Sequence, residues 1–423
     1  MGKERKIEPK LRFPKFEKLW KIITVSDVCN AFRGGTFSKA DMNEDGTELC
    51  IHYGELFTKY NEVITEIYSK TNKRDGFRSE VGDILMPSSD VTPDGLAKAS
   101  AITLNDVILG GDMNILRPKI KINSIFLSYL LNYSKTEIIK LISGTTVKHI
   151  YPSQIITCQL PWVDHEAEQG KIASCLSSLD EVIADHSQKL ELLKGHKKGL
   201  MQNLFPQGNE KVPKYRFSGF RKDGNWVVNS LENYIDLFSG IALKSEEISD
   251  DKSGIPILRG INITEGYIRH SKDIDKYFLG DLENLGKYLV KENDIVIGMD
   301  GSKVGKNVAL IKKDDENSIL IQRVARIRTN EKADLRYVYH HFLSDKFRGY
   351  VDAVNTSSGI PHISAQQIKD FKIGFPPKLK EQQIIASTLS TLDALITGQT
   401  EKIEQLKLHK KGLMQGFFPK IND

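Results

Sequence analysis

The sequence predicts an α+β chain: two mixed domains with twisted sheets, joined by two long antiparallel coiled-coil helices in a pseudo-twofold tandem repeat. Three observations predict it. The phrase "HKKGLMQNLFPQ" (His196–Gln207) returns as "HKKGLMQGFFPK" (His409–Lys420), 213 residues later (409 − 196), with nine of twelve residues identical. A 3.5-residue apolar period runs through the stretch before each copy. The segments between these stretches alternate short apolar runs with turns.

A chain of 423 residues exceeds one typical domain. Its 39% hydrophobic and 27% charged content suits a soluble protein with ample core. No apolar run approaches the ~18 residues of a membrane span. The opening "MGKERKIEPKLRFPKF" lacks the apolar stretch of a secretory signal. Cys29, Cys50, Cys158 and Cys175 form no C-x-x-C pair, so reduced thiols in a cytoplasmic protein are expected, and no metal site. The formal charge of +5 is compatible with a polyanionic partner but does not by itself argue for one.

The repeat extends outward from the opening phrase. Residues 170–207 and 383–420 align without a gap, with 21 of 38 positions identical. Upstream, "SGTTVKHIYPSQI" (Ser143–Ile155) resembles "SGIPHISAQQI" (Ser358–Ile368), with His149 and His362 at the same offset. The heads also correspond: "KLRFPKF" (Lys10–Phe16) echoes "KYRFSGF" (Lys214–Phe220), followed by Trp20 and Trp226. Each unit has a matched head, a diverged middle and a strongly matched tail.

Each tail reads as a helix of about 38 residues, ~57 Å at 1.5 Å per residue. The apolar seam of the first comprises Ile172, Leu176, Leu179, Ile183, Leu190 and Leu193, continuing to Leu200 and Leu204. That of the second comprises Ile385, Leu389, Leu392, Ile396, Ile403 and Leu406, continuing to Leu413 and Phe417. Both seams are interrupted at the same two places, by His186 and Lys197 and by Gln399 and Lys410. Seams matched in phase and length favour pairing of the helices with each other. Lys197 and Lys410 are expected near the ends of the pair, where hydration or a partner's contact is easier than burial. Asp164, Glu166 and Glu168 near the first helix's start, and Lys189, Lys194, Lys197 and Lys198 near its end, suit the helix dipole. Gly199 and Gly412 mark either a close contact or a tolerated site of fraying.

In the middles, "GDILM" (Gly82–Met86) and "NDIVIGMD" (Asn293–Asp300) read as corresponding strands, as do Asp106–Pro118 and Ser318–Asn330. A helix follows each, over Ser124–Leu131 and Leu335–Leu343. Detailed similarity between the middles is weak. The frame is duplicated and the content is not.

Catalytic motifs are missing. "GSKVGKN" (Gly301–Asn307) is one residue short of a phosphate loop, and Asn307 stands where a hydroxyl would reach magnesium. "FPPK" (Phe375–Lys378) lacks the polar lead residue of an amino-methyltransferase motif, and "TPDGLAK" (Thr92–Lys98) contains Pro-Asp, whereas a nuclease needs a second acid and a lysine in matching strand context. What recurs is donor-rich, basic loop sequence at Ser69–Glu80, Ser143–His149, Asp300–Lys306 and Asn355–His362, of the kind that binds phosphates and base edges.

With the heads, the Ser143–Ile155 and Ser358–Ile368 loops and the twin tails in place, the chain resembles the specificity subunit of a Type I restriction–modification enzyme over essentially its whole length. The resemblance implies a first target-recognition domain at 1–163, a spacer helix at 164–207, a second recognition domain at 208–377 and a second spacer helix at 378–419. Each domain would read one half of a bipartite, asymmetric site in double-stranded DNA, and the helix length would set the unread gap between the halves. Two methyltransferase subunits would dock on the chain and carry the restriction (nuclease–translocase) subunits. S-adenosylmethionine, ATP and magnesium would then belong to those partners, with no cofactor, catalytic residue or metal on this chain. The DNA-binding residues expected on this basis are Lys73, Arg74, Arg78, Lys148 and His149 in the first domain. In the second they are Lys303, Lys306, Arg323, Ser358 and His362. Two other readings compete: a coiled-coil scaffold without DNA binding, and an autonomous DNA-modifying enzyme.

Overall fold

A computed structural model of the chain describes residues 7–208, 210–283, 285–355 and 361–421. The chain forms two compact units, Met1–Gln188 with Thr400–Asp423, and Lys189–Gln399. Each long helix therefore begins in one unit and ends in the other.

In the first unit the strand Lys21–Thr24 pairs antiparallel with Gln159–Trp162, joining the two ends of the first mixed domain. Between them lies a five-stranded sheet in the order Cys29–Arg33, Met113–Pro118, Ile84–Pro87, Ser100–Ile102, Val63–Ile64. A smaller sheet orders Ser69–Thr71, Glu48–Ile51, Ile108–Leu109 and Phe77–Arg78. The second unit repeats this plan. Val227–Ser230 pairs with Lys372–Phe375, and Ile235–Ser239, Val324–Thr329, Ile295–Gly298 and Val308–Leu310 form the main sheet. Each smaller sheet contains one parallel pair, Ile108 opposite Cys50 and Ile257 opposite Ile319.

The expected strand correspondence is present: Ile84–Pro87 pairs with Met113–Pro118, and Ile295–Gly298 with Val324–Thr329. These strands read as continuous apolar runs because both faces are covered. Ile84 and Met86 point into the core beneath the helix, and Leu85 into the core beneath the smaller sheet. Ile295 and Ile297 against Val296 repeat the alternation, with the period of two that a pleated strand imposes. The helices span Ser124–Tyr133 and Leu335–Phe342. The side chains of Asn123 and Asp334 cap them, accepting from the amides of Phe126 and Tyr337.

Paired charges hold the duplicated frame. Arg12 in the first head forks onto Glu168 with both bonds at 2.9 Å. Arg216 in the second head forks onto Glu381 at 2.7 and 2.8 Å. Both glutamates are buried at the start of a long helix. The neighbouring Gln169 and Gln382 accept from the amides of Asn123 and Asp334, tying each long helix to its domain's helix. Within the sheets, Arg117 forks onto buried Asp83 and Arg328 onto buried Asp294. These carboxylates raise the guanidinium pKa values further above their ordinary range.

The long helices span Glu166–Leu204 and Leu379–Phe417, 39 residues each. In the first unit Ile172, Ala173 and Leu176 share a core with Leu413, Met414 and Phe417. In the second, Ile385, Ala386 and Leu389 share one with Leu200, Met201 and Leu204. The end of each helix lies on the beginning of the other, so they run antiparallel. Leu392 and Ile403 are also buried, while Leu179, Ile183, Leu190, Leu193, Ile396 and Leu406 are half-buried along the seam.

One expectation is corrected and one of two alternatives is excluded. Lys197 and Lys410 are not hydrated: their side chains are 15% and 13% exposed and are ion-paired to Asp393 and Asp180. A carboxylate at the facing seam position makes burial of the ammonium tolerable. Gly199 and Gly412 make no close contact either, since a Cβ at each would meet open space.

Candidate nucleic-acid interface

In the second domain the Ile295–Gly298 strand runs on into Met299 and Asp300. Asp300 bridges His362 across a short antiparallel contact, and the Gly301 amide donates to the Pro361 carbonyl at 3.0 Å. The Met299 amide donates to the Arg323 carbonyl at 2.8 Å. Arg323 sits at φ 65°, a left-handed turn that a side chain rarely adopts. Its Nη1 donates to the Asp300 carboxylate at 2.7 Å, yet the side chain is 63% exposed. Lys303 and Lys306 stand exposed on the turn that follows Asp300. Neither makes an ion pair among the described residues. The structure therefore gathers Lys303, Lys306, Arg323 and His362 around one corner; Ser358 lies outside the described residues.

The first domain builds the same corner. Ser89 opposes His149 and Asp90 opposes Lys148 in a two-residue antiparallel pair. The Ser88 amide donates to the Asp112 carbonyl at 2.8 Å, and Asp112 sits at φ 55°. Asp112 thus occupies the place of Arg323, and Ser89 that of Asp300. His149 Nδ1 lies 2.9 Å from the Ser89 hydroxyl. Lys148 Nζ donates to the Gly144 carbonyl at 2.7 Å, closing its own loop. That loop needs glycine at 144, where φ is 101° and a Cβ would sit 2.2 Å from the Val147 carbonyl oxygen.

The remaining candidates of the first domain belong to the smaller sheet and its loop. Lys73 is 3.3 Å from Asp41, and Arg78 is 2.9 Å from Glu48 and also donates to the Asp106 carbonyl. Their charge is largely matched by neighbouring acids. Arg74 is exposed, and among the described residues only its carbonyl is engaged, by Arg78.

Sequence reasoning missed Arg33 and Asp112. Arg33 ends the Cys29–Arg33 strand, and its Nη2 lies 3.2 Å from the Asp112 carboxylate. Beside them is a cleft of about 450 Å³ lined by Arg33, Gly34, Gly35, His52, Gly111 and Asp112. The available signal was the "GGD" before the Met113–Pro118 strand, which stands where the second unit has "IQR".

Two copies of one frame, exposing different side chains at equivalent corners, define a tandem recognition protein. Residues 17–194 and 224–408 match the family model described as the Type I restriction modification DNA specificity domain. The chain belongs to this family, as a specificity subunit with two recognition domains in tandem. It is 26% identical over 407 residues to the MjaVIII specificity subunit of Methanocaldococcus jannaschii, covering 93% of this chain and 91% of that one. It is 24% identical over 422 residues to the EcoKI specificity subunit of Escherichia coli, covering 95% and 88%. The fold is similar to the crystal structure of the Type I restriction–modification S subunit from M. genitalium, with TM-score 0.65 and 16% identity over 98% of this chain and all of that one.

Proposed function

We propose that this specificity subunit reads a bipartite, asymmetric site in double-stranded DNA, one half through each recognition domain. The observation that carries the reading is the matched pair of corners. The Met299–Arg323 and Ser88–Asp112 backbone contacts are the same, while the exposed side chains differ in charge. Equivalent backbones with different donors and acceptors suit two different half-sites.

The antiparallel helices set the unread gap and dock two methyltransferase subunits in equivalent surroundings. Val182 and Leu395, at matched positions on the two long helices, are 41% and 53% exposed and support two like contacts. Restriction subunits attach through the methyltransferases. S-adenosylmethionine belongs to the methyltransferase, and ATP with magnesium to the nuclease–translocase. This chain supplies recognition and no chemistry, and acts in the cytoplasm. Among the described residues no helix is long and apolar enough to cross a membrane.

The test is genome-wide mapping of N6-methyladenine in a host expressing the chain with its cognate methyltransferase, against a host lacking only the chain. One split motif with a fixed gap, vanishing without the chain, is the expected result. A methylation pattern indifferent to the chain would sink the reading.

A further inference from the structure

The two corners share a feature that their sequences hide. Each presents one arginine held by one aspartate, but the partners come from different positions of the frame. In the second domain the arginine comes from the left-handed turn (Arg323) and the acid from the strand end (Asp300), 2.7 Å apart. In the first the acid comes from the turn (Asp112) and the arginine from the neighbouring strand (Arg33), 3.2 Å apart. The position equivalent to Arg33 is Ser239, since Arg33 opposes Asn114 and Ser239 opposes Ala325. Both members of the pair have moved within the frame, while the arginine–aspartate pairing itself recurs.

Both guanidiniums are mostly exposed, at 55% and 63% of their side chains. Each gives a single terminal nitrogen to its aspartate and has no other ion pair among the described residues. A carboxylate bound to one edge fixes the plane of the guanidinium and leaves further N–H donors pointing outward. That is unlike Arg117 and Arg328, whose forks are fully occupied by buried Asp83 and Asp294. An oriented fork with free donors matches the paired acceptors N7 and O6 of guanine. The Arg33 cleft is lined by Gly34, Gly35 and Gly111 together with polar and aromatic side chains, among them Ser38, His52 and Tyr53. Gly34 is enforced there, because a Cβ would fall 1.9 Å from the Gly110 carbonyl oxygen.

We propose that Arg33, anchored by Asp112, is a specificity-determining residue that reads a guanine in the first half-site, as Arg323 on Asp300 reads one in the second. The inference rests on the proposed DNA-reading function and adds the residue and the base. Because the two arginines spring from different positions of the frame, their guanines occupy different steps within their half-sites.

The test uses the full complex with its methyltransferase and maps methylated motifs for Arg33→Lys, Arg33→Ala and Arg323→Lys. Lysine keeps the charge and loses the fork. The expected result for both Arg33 variants is degeneracy at a single G·C position of the first half-motif. Discrimination there falls by roughly ten- to a hundred-fold, and the second half-motif is unchanged. Arg323→Lys does the converse. Arg33 variants that methylate the unchanged motif at the wild-type level overturn the inference. If methylation is lost altogether, the purified variant complex is bound to duplexes substituted at each guanine of the first half-site. Retained base preference at every position with uniformly weaker binding marks a phosphate contact and also overturns it. Failure of the underlying function shows separately, as a wild-type complex whose methylation does not depend on the chain.

Discussion

Lys410 Nζ lies 2.7 Å from the Asp180 carboxylate, and the same pair recurs 213 residues earlier and later as Lys197 with Asp393 at 2.5 Å. The residue numbers in each pair sum to 590, as an antiparallel pairing of two equivalent helices requires. The surroundings differ. Lys410 also meets Glu62 at 2.7 Å, and Tyr129 donates to Asp180 at 2.5 Å and lies 3.4 Å from Ser177. In the second unit His340 takes the place of Tyr129, 3.2 Å from Ser390 and 3.8 Å from Asp393. Burial and the nearby Glu62 charge push the Asp180 carboxyl above its usual range even with Lys410 present.

Removing Lys410 therefore takes away the cation that ion-pairs with both Asp180 and Glu62, and leaves only the more distant charge of Lys98 near Glu62. Lys410→Ala is expected to cost about 3–5 kcal/mol of unfolding free energy. Lys197→Ala strands only Asp393, which is a third exposed, and should cost less. Urea midpoints for the two variants check the order. Equal effects would contradict the role assigned to Glu62.

The arginine of each head is a clamp on a helix start. Arg216 and Glu381 are both nearly inaccessible, so Arg216→Ala leaves a buried carboxylate unpaired, at about 3–5 kcal/mol. Arg216→Lys should recover only part of this, since an ammonium cannot make both bonds. Arg12 is more exposed than Arg216, and Arg12→Ala should be milder in the same denaturation series.

His340 and His341 are buried. Desolvation, with the Lys197 charge, pushes the His340 imidazole down to about 3, and burial takes His341 well below its ordinary value. Below pH 6.5, the ordinary histidine value, the unfolded chain binds protons that the folded one refuses. Stability is therefore present above pH 6.5 and lost as pH falls toward 3, at up to ~1.4 kcal/mol per unit for each histidine. The raised Asp180 pKa acts in the opposite sense in the first unit. Denaturation between pH 7.5 and 5.5 should show the second unit weakening, and His340→Asn should flatten the slope.

Val182→Lys or Leu395→Lys changes an exposed side chain and should leave stability within about 0.5 kcal/mol of wild type. On the proposed docking, each variant weakens one of two methyltransferase contacts. Mass measurement of the assembled complex should then show one methyltransferase per chain where wild type carries two.

The tandem plan, the two tails and the main strands were legible in the sequence because they are written in chain order. A period of 3.5, an alternation of two and a repeated phrase are local patterns, and burying their apolar faces leaves few alternatives. Ile172, Leu176, Ile385 and Leu389 are buried because that seam period demands it. The sequence alone misleads at Lys197 and Lys410, because a polar residue in a seam looks hydrated until the facing residue is known. Only the tertiary structure decides that Asp180 and Asp393 face them. The recognition corner divides the same way. Basic loops at Lys303, Lys306 and His362 stand out by composition, and folding brings them to Arg323. Arg33 and Asp112 are 79 residues apart and share no local signal. Their pairing exists because the strand ending at Arg33 pairs with the strand that follows the turn at Asp112. Periodic burial is a property of neighbours along the chain, whereas a charge pair is a property of neighbours in space.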